Sequence, residues 1–362
     1  MKNKSIAVIG LKGLPAFGGA ASVGENLISH LKDDYNFTIY SVSSHTQLKT
    51  GRYEGSHQIV FSAIKNKKLN TLLYYIKSAF HAFFIGNFDL IHLHHSDATF
   101  ILLLLRIRYK VVVTTHGVQN LGLLPKWGRY KQLFKFQIKF LLPLANRISC
   151  VSMTEQKWLF KRYGIKAIFI PNGIATNFQH TTNNYSFSVF FGAGRIIQSK
   201  GCDSLLKALN NINFLGKVAI AGDMNQTPDY KELILQLSNN LNVTFLGLIK
   251  DKNELLSYIR SSKFFIYPSE RESMSMMLLE AASVKTPIIC SDITENRDMF
   301  NEDEVLFFSL EKTNDLDNII SWALDNYDIM KNKAENAYSR VLKSNNWNNI
   351  KDEYKKIYNS LI

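Results

Sequence analysis

The sequence has no apolar run long enough to cross a membrane. The longest candidate, Ala98–Leu105, is stopped by Arg106 and Arg108, far short of the roughly 18–20 apolar residues that a membrane-spanning helix needs. The N-terminus has only a short apolar stretch that runs directly into a strand pattern, so we expect no signal peptide. These two absences predict a cytoplasmic protein.

Cysteine is scarce, and its spacing excludes the usual cysteine sites. Cys150, Cys202 and Cys290 lie far apart, each beside apolar residues. No pair has the spacing of a disulfide framework or a zinc site, so we interpret all three as core residues. The only Asp-x-Asp motif, Asp315-Leu316-Asp317, precedes a helical pattern and is interpreted as a helix cap.

Acidic residues are few in the N-terminal part of the chain. Residues 1–150 hold 19 Lys and Arg against 6 Asp and Glu, a net charge of +13, whereas residues 151–362 hold 24 of each. The whole basic excess therefore belongs to the first part. This asymmetry indicates a polyanion or an anionic membrane surface as its partner. A nucleic-acid binder would spread its basic residues over both parts, so we expect no nucleic acid.

Strands alternate with helices along almost the whole chain, which predicts parallel, doubly wound sheets. The pattern opens with a strand at Ser5–Gly10, a Gly-rich loop at Leu11–Gly19 and a helix at Ala20–Leu31. Such an opening is typical of nucleotide- or phosphate-binding units. It lacks the third glycine of a dinucleotide fingerprint and the Lys-Ser/Thr of a P-loop. A simple tight turn therefore remains an equal alternative.

A length of 362 residues favours two domains. Polar, aperiodic residues follow Gly173, and a second alternating set begins with a strand at Phe187–Phe191. We predict an N-terminal domain over residues 1–173, a C-terminal domain over 174–345, and a cleft between them. The last segment, 346–362, carries an apolar stripe at helical spacing, so we expect a helix that packs back on the N-terminal domain.

Two carboxylates stand out beside a buried strand at Phe264–Tyr267. Glu272 lies in a polar loop, and Glu280 lies inside an apolar helix predicted at Met274–Ala282. An apolar helix seldom carries a carboxylate unless something pairs with it. Ionised carboxylates accept hydrogen bonds, and sugar hydroxyls donate them. A general acid/base pair, or a capping Glu with a salt-bridged Glu, are the alternatives that the residues alone leave open.

Two cations bracket the loop after the first strand of the second domain. That strand ends in Gly194-Arg195, and Lys200 lies at the start of the following helix. Arg195, Lys200 and the helix N–H groups together suit a diphosphate. Two solvated basic residues are the alternative.

Two further clusters have more than one interpretation. His92, His94 and His95 resemble a metal cluster, but adjacent strand residues point to opposite faces, so we interpret them as a strand end that faces the cleft. Basic and aromatic residues interleave on a helix predicted at 128–142. Docking to an anionic membrane and a solvated face over a core face are equal alternatives there, and nucleic-acid binding is a third and weaker one. The residues concerned are Lys126, Trp127, Arg129, Tyr130, Lys131, Phe134, Lys135, Phe136, Lys139 and Phe140.

Five segments, taken in order, share one pattern: VVVTTHGVQN, ISCVSMTEQKWL, IPNGI, GAGRIIQSKGCDSLLKAL and PSERESMSMMLLEAAS. Together they resemble the retaining, nucleotide-sugar-dependent glycosyltransferases of family 4, which have the GT-B fold. The resemblance covers nearly the whole chain. The opening IAVIGLKGLPAFGGAASVGENLISHL and the segment KWGRYKQLFK further resemble transferases of bacterial surface-polysaccharide assembly.

The resemblance implies a role for each site residue. Arg195 and Lys200 would bind the donor diphosphate and stabilise the charge of the leaving group, Glu280 would hold the ribose hydroxyls, and Glu272 would contact the transferred sugar. His116 would lie at the reaction centre. The remaining implied donor-binding residues are Gly18 and Gly19 in the first loop, Asn172 at the hinge, Gly194, Ser275 and Met276.

The family often has Gly-x-Gly after the first Glu, whereas this chain has Ser273-Met274-Ser275. We therefore expect a narrower pocket and cannot transfer the identity of the sugar.

The expected reaction moves a hexose or related sugar, with retention, from a nucleotide-diphosphate donor to a saccharide or polyprenyl-diphosphate-linked saccharide acceptor, in capsule, O-antigen or exopolysaccharide synthesis. We expect neither a metal nor another cofactor, and a location at the inner face of the plasma membrane. A nucleotide-sugar epimerase or hydrolase and a non-catalytic membrane-bound adaptor are the rival hypotheses. The linkage formed and the oligomeric state are not predicted.

Overall fold

The computed structural model describes residues 3–16, 19–121, 131–174 and 186–362. The chain divides into two compact units. Unit 1 comprises Met1–Gly173 and Trp347–Ile362, and unit 2 comprises Ile174–Asn346. Each unit has a mostly parallel sheet with helices packed on it, so both have the α/β, Rossmann-like architecture that the alternating pattern predicts.

The sheet of unit 1 has eight strands in the order β3-β4-β2-β1-β5-β6-β7-β8, and only β3 runs antiparallel to its neighbour. β1 lies between β2 and β5, so the strand order reverses direction there. In open parallel sheets, ligands bind beyond the carboxyl ends of the strands at such a point. The strands are β1 (Lys4–Lys12), β2 (Tyr35–Val42), β3 (Gly51–Tyr53), β4 (Ser56–Phe61), β5 (Leu90–His94), β6 (Lys110–Thr115), β7 (Arg147–Cys150) and β8 (Ile168–Phe169).

Local signals explain several helix boundaries in unit 1. The Asn66 side chain accepts hydrogen bonds from the first turn of the second helix, and Ser152 does the same for the sixth, which ends at Gly164 in the left-handed conformation. The helices are α1 (Gly19–Leu31), α2 (Lys67–Phe84), α3 (Leu102–Leu105), α4 (Val118–Leu121), α5 (Lys131–Phe136), α6 (Met153–Tyr163) and, at the C-terminus of the chain, α14 (Trp347–Asn359).

Unit 2 has a six-stranded parallel sheet in the order β11-β10-β9-β12-β13-β14. Its strands are β9 (Phe187–Arg195), β10 (Lys217–Asp223), β11 (Asn242–Gly247), β12 (Ser262–Tyr267), β13 (Ile288–Ser291) and β14 (Leu306–Phe308). Its helices are α7 (Cys202–Asn211), α8 (Pro228–Leu237), α9 (Lys252–Arg260), α10 (Met276–Ser283), α11 (Thr294–Met299), α12 (Asp315–Asp325) and α13 (Tyr327–Ser344).

Helix α14 packs on unit 1, as the apolar stripe of the last segment predicts. The Trp347 ring stacks on His30 of α1 at 5.2 Å between ring centroids. The Tyr35 hydroxyl donates to Asn359, and the Tyr358 hydroxyl lies 2.7 Å from His92 Nδ1 in the sheet. The whole stripe is buried, so this helix completes the core of unit 1: Trp347, Ile350, Tyr354, Ile357 and Tyr358.

Two predicted helices were wrong in detail, and two strands were missed. The alternating pattern also predicts a helix over Thr99–Arg106, where the structure has a 3₁₀ turn at Ser96–Ile101 followed by a single α turn. The helix expected over 128–142 is α only at Lys131–Phe136 and continues as a π turn at Gln137–Leu141, while residues 122–130 lie outside the described ranges. Strands β3 and β4 were missed because β3 has three residues and the apolar residues of β4 stand together at its end, so neither shows an apolar alternation.

None of the helices in the described ranges is both long and apolar enough to cross a membrane.

Candidate active site

The predicted phosphate loop and the two predicted carboxylates lie beyond adjacent strands of unit 2. β9 pairs in parallel with β12, so both strands end at the same edge of the sheet. Arg195 is the last residue of β9, and the loop containing Glu272 follows β12. β9 also lies between β10 and β12, where the direction of strand order reverses. This edge is therefore the expected place for a ligand in unit 2.

A glycine brings the two loops into contact. Gly201 precedes α7 in the left-handed conformation, with a φ of 73°. A Cβ at this position would lie 2.0 Å from the Pro268 carbonyl oxygen, which is too close for any side chain. The loops are also joined by a hydrogen bond from Glu270 N to the Ser199 carbonyl, at 3.0 Å. Lys200 is thereby held over the loop that carries Glu272.

Lys200 and Glu272 form an ion pair. The Lys200 ammonium lies 2.5 Å from Glu272 Oε1, and the Ser269 hydroxyl donates to the same oxygen at 2.7 Å. Only 10% of the Glu272 side chain is exposed. The structure thus brings together the residue predicted to bind the diphosphate and the residue predicted to bind the sugar.

The surroundings of Lys200 keep its ammonium charged. Burial alone would lower the pKa of Lys200, but the Tyr267 hydroxyl and the Glu272 carboxylate beside it outweigh burial and hold that pKa above its ordinary value. The ammonium also lies 5.7 Å from the centroid of the Tyr267 ring. A fixed positive charge in this position can stabilise negative charge that develops on a leaving group.

Gly194 and Arg195 lie at the exposed end of β9. The Arg195 side chain makes no hydrogen bond or ion pair with any residue that the structure describes. Space around Gly194 is open, since a Cβ there would meet no atom within 4 Å. Backbone and guanidinium are therefore both accessible to an anionic ligand.

Glu280 is paired on one oxygen only. Its Oε1 lies 2.5 Å from the ammonium of Lys252 in α9, whose side chain is half exposed, whereas 7% of the Glu280 side chain is exposed. Glu280 Oε2 is buried and has no hydrogen-bond partner among the described residues. Buried carboxylate oxygens are usually satisfied, so Oε2 is suited to accept a hydrogen bond from a ligand hydroxyl.

Ser275 lies directly before α10 and caps that helix. Its hydroxyl accepts from Leu278 N at 3.4 Å, which caps the helix that carries Glu280. Met276 is the first residue of that helix and is partly exposed. The predicted helix start at Met274 was therefore two residues early.

In unit 1, His116 directly follows β6 and is joined by two other histidines. His116 Nε2 lies 3.4 Å from His94 Nδ1, and its ring centroid lies 5.4 Å from that of His95. Burial, followed by the charges of His95 and His92, lowers the pKa of His116 well below its ordinary value. At neutral pH this imidazole is uncharged, so it can donate from one nitrogen and accept on the other.

The other predicted residues of unit 1 have simpler surroundings. Gly19 is the first residue of α1, with a φ of 60° and open space around it, and Gly18 lies outside the described residues. Asn172 is buried, and the adjacent Gly173 packs on Trp347, where a Cβ would come within 2.5 Å of the indole ring.

The histidine cluster differs from the interpretation made from sequence. His92 and His94 share one face, with ring centroids 4.2 Å apart, and His95 leaves the strand with a φ of 85°. The rule of alternating faces separated His94 from His95 but did not reveal their common neighbour His116, which lies 22 residues beyond His94 and directly follows β6. Across the described ranges, no group of three or more His, Cys, Asp or Glu side chains is arranged to hold a metal ion.

Two family models match consecutive parts of the chain. The model described as Glycosyltransferase Family 4 matches residues 17–178, and the model described as Glycosyl transferases group 1 matches residues 174–340. The two matches adjoin at the boundary between the units.

Relatives and solved structures match this chain over different lengths. An uncharacterized glycosyltransferase of Methanocaldococcus jannaschii is 26% identical and is covered over 96% of both chains. The capsular polysaccharide biosynthesis glycosyltransferase CapH of Staphylococcus aureus is 26% identical over 46% of each chain. The fold matches the crystal structure of Anabaena HepE in complex with UDP-glucose, with a TM-score of 0.78, 16% identity and coverage of 99% of this chain and 100% of that one.

Proposed function

Because this chain belongs to glycosyltransferase family 4 and has the GT-B fold, we propose that it transfers a hexose or related sugar from a nucleotide-diphosphate donor to a saccharide acceptor. The observation that carries the proposal is the half-satisfied carboxylate of Glu280. Its buried Oε2 is an acceptor without a partner among the described residues. The vicinal hydroxyls of a ribose are donors that match it.

The diphosphate would bind at the loop between β9 and α7. Arg195 is exposed and Lys200 is charged, and the first N–H groups of α7 follow Gly201. These three elements supply the positive charge that a diphosphate needs. The binding of UDP-glucose by HepE, which has the same fold, supports a nucleotide-sugar donor.

Transfer breaks the bond between the sugar and the diphosphate. The leaving group gains negative charge, which Lys200 and Arg195 would stabilise, while the sugar acquires oxocarbenium character. We propose retention of configuration, with the acceptor hydroxyl attacking the face that the phosphate vacates and passing its proton to a phosphate oxygen. Glu272, which is already paired with Lys200, would bind hydroxyls of the transferred sugar, and His116 would donate to or accept from that sugar.

We further propose that the acceptor is lipid-linked and belongs to surface-polysaccharide synthesis. Relatives named for capsular polysaccharide and O-antigen biosynthesis support this assignment. A lipid-linked acceptor lies at a membrane surface, and we propose that the enzyme works at the inner face of the plasma membrane, to which the basic first part of the chain would bind.

Unit 1 carries a face suited to an anionic bilayer, which we call the basic apolar face. Large apolar side chains on α2, α3 and the segment 131–144 are half to three-quarters exposed. The Arg106 guanidinium donates to the Leu144 carbonyl at 2.7 Å and the Arg108 guanidinium to the Phe83 carbonyl, so these segments adjoin. The apolar members are Phe80, Phe84, Ile85, Leu103, Ile107, Phe136 and Phe140.

Basic side chains surround these apolar residues. The Lys139 ammonium lies 4.9 Å from the Phe140 ring centroid, and Lys77 and Arg108 are exposed nearby on the same segments. Residues 101–150 contain no Asp or Glu. Exposed apolar side chains within a field of one sign are typical of binding to anionic lipid.

Cosedimentation with vesicles tests the membrane proposal. Wild-type protein should bind anionic vesicles at low salt and not zwitterionic ones, and a Phe84→Ser/Ile107→Ser variant should lose binding. Leu215→Ser is the matched control, because Leu215 is a highly exposed leucine of unit 2. Equal binding by the face variant, or none by wild type, contradicts the proposal.

A donor assay separates transfer from the rival reactions. A nucleotide-sugar epimerase or hydrolase would consume the donor rapidly without an acceptor, and a non-catalytic adaptor would consume none. The proposal requires release of nucleoside diphosphate that depends on the acceptor.

A further inference from the structure

Unit 1 contains a buried carboxylate to which the reaction as described so far assigns no role. Glu155 lies in the first turn of α6, and its side chain is fully buried. The spacing of Ser152 and Glu155 is that of a capping box, in which the glutamate returns to the start of its own helix. Ser152 fits the capping box, since its Oγ accepts a hydrogen bond from Glu155 N at 3.1 Å.

The carboxylate of Glu155 instead reaches a different segment. Its Oε1 accepts hydrogen bonds from Gly117 N at 3.0 Å and from Val118 N at 2.8 Å. These two amides directly follow His116 in the chain. Gly117 has a φ of 89°, so the backbone turns sharply here in a conformation that favours glycine.

From this geometry we propose that Glu155 is a positioning residue, which fixes the turn at 116–118 and thereby the imidazole of His116. The inference rests on the proposed function, because only that function assigns His116 a role in transfer. It adds a residue that touches neither donor nor acceptor but holds one that does.

Two contacts together fix the position of the His116 imidazole. Glu155 holds the backbone that follows His116, and His94 Nδ1 lies 3.4 Å from its Nε2. Hydrogen bonds to a carboxylate are stronger than those between neutral groups. Burial raises the pKa of Glu155, while hydrogen bonds from Val118, Thr115, Gly117 and Val151 act in the opposite direction. Displacing a reacting group by about 1 Å can reduce a rate 10²-fold, so loss of this clamp should be visible in kcat.

Three variants test the role. Glu155→Gln keeps an acceptor oxygen of the same reach, Glu155→Ala removes it, and Ser152→Ala removes only the helix cap. We expect Glu155→Ala to lower kcat by about 10- to 100-fold with donor KM within about threefold, Glu155→Gln to recover most of that loss, and Ser152→Ala to lower thermal stability without changing kcat. A wild-type kcat in Glu155→Ala, or no recovery in Glu155→Gln, overturns the proposal.

A double variant shows whether Glu155 acts through His116. If it does, adding Glu155→Ala to His116→Ala should lower kcat no further, whereas a multiplied loss would assign Glu155 a general structural role and overturn the inference.

Hydrogen exchange gives a readout that does not depend on activity and remains useful if Glu155→Ala fails to fold. In folded Glu155→Gln, whose neutral amide oxygen keeps the contact but accepts more weakly than a carboxylate, the amides of Gly117 and Val118 should exchange about tenfold faster than in wild type, while amides of β7 and β9 stay unchanged. Unchanged exchange at 117–118 overturns the clamp. If exchange responds as expected but wild type transfers no sugar, the proposed function fails and the clamp stands.

Discussion

The Lys200 ammonium lies 2.5 Å from Glu272 Oε1, so a cation and a carboxylate predicted to serve different parts of one donor are paired with each other. Ser269 donates to the same carboxylate oxygen, and the contact between Gly201 and Pro268 holds the two loops in place. The pair is largely buried, and removing one partner of such a pair leaves an uncompensated charge. The two residues should therefore be tested together.

Lys200→Ala should reduce kcat by at least about 10²-fold, because the leaving diphosphate loses its buried cation. The fold should remain, since Lys200 lies in a loop beyond the sheet. Steady-state transfer kinetics and circular dichroism measure both effects. Lys207→Ala is the matched control: Lys207 lies on α7, is half exposed and forms an ion pair with Asp203. Equal losses in both variants would contradict a role specific to Lys200.

Glu280→Gln should weaken the preference for a donor with a ribose over one with a 2′-deoxyribose. Wild type should prefer a ribonucleotide donor over its 2′-deoxy analogue, because the deoxy donor leaves Glu280 Oε2 unsatisfied, at a cost of about 1–3 kcal/mol. Glu280→Gln should reduce that preference, measured as the ratio of kcat/KM for the two donors. Lys252→Ala, which removes the partner of the other oxygen, should largely retain it. An undiminished preference in Glu280→Gln would show that the nucleoside binds elsewhere.

Trp347→Ala should destabilise unit 1 by about 3–5 kcal/mol, the usual cost of deleting a buried tryptophan. Its ring stacks on His30 and covers Gly173, so the truncation opens a cavity where α14 joins the unit. Urea unfolding followed by circular dichroism measures the loss. The partly exposed Trp322 of α12 provides the control variant Trp322→Ala, which should lose clearly less. A loss no larger than that of the control would mean that α14 contributes little.

Acid should destabilise unit 1 through His92. Burial lowers the pKa of His92 to about 3 from an ordinary 6.5, so between these values the unfolded chain binds a proton that the folded chain does not. Stability therefore falls as the pH drops below 6.5, by about 2 kcal/mol at pH 5 for this residue alone. Urea unfolding at pH 7 and pH 5 measures the change.

His92→Gln should remove the part of the stability loss between pH 7 and pH 5 that we assign to His92. His57→Gln, at an exposed position on β4, should leave the stability loss unchanged. An unaltered difference between pH 7 and pH 5 in His92→Gln would contradict the assignment.

The periodic parts of the fold could be predicted from sequence, since buried strands such as Phe264–Tyr267 and the stripe of α14 follow from apolar spacing alone. Strands β3 and β4 could not, because neither of these short strands shows that spacing. Nor could the turn at Ser96–Ile101, where a run with helical composition forms 3₁₀ geometry.

The candidate site was predictable only in part. Local motifs indicate Arg195, Lys200, Glu272 and Glu280, because these residues end a strand of unit 2 or lie in the loop or helix that follows one. The partners of these residues were not predictable, since Lys252 lies 28 residues from Glu280 and its side chain is set by packing. Glu155 was hidden for another reason. A capping box explains its spacing from Ser152, and only the structure places its carboxylate on the turn after His116.

The most direct test of the central claim is a donor screen with uridine-, guanosine- and thymidine-diphosphate sugars and a polyprenyl-diphosphate-linked saccharide acceptor. Released nucleoside diphosphate and glycosylated acceptor are measured for wild type and for Glu280→Gln. The account predicts that at least one donor is consumed only when acceptor is present, with a glycosylated product, and that Glu280→Gln is impaired with that donor. Consumption of donor at the same rate without acceptor, or no consumption of any of these donors, would contradict it.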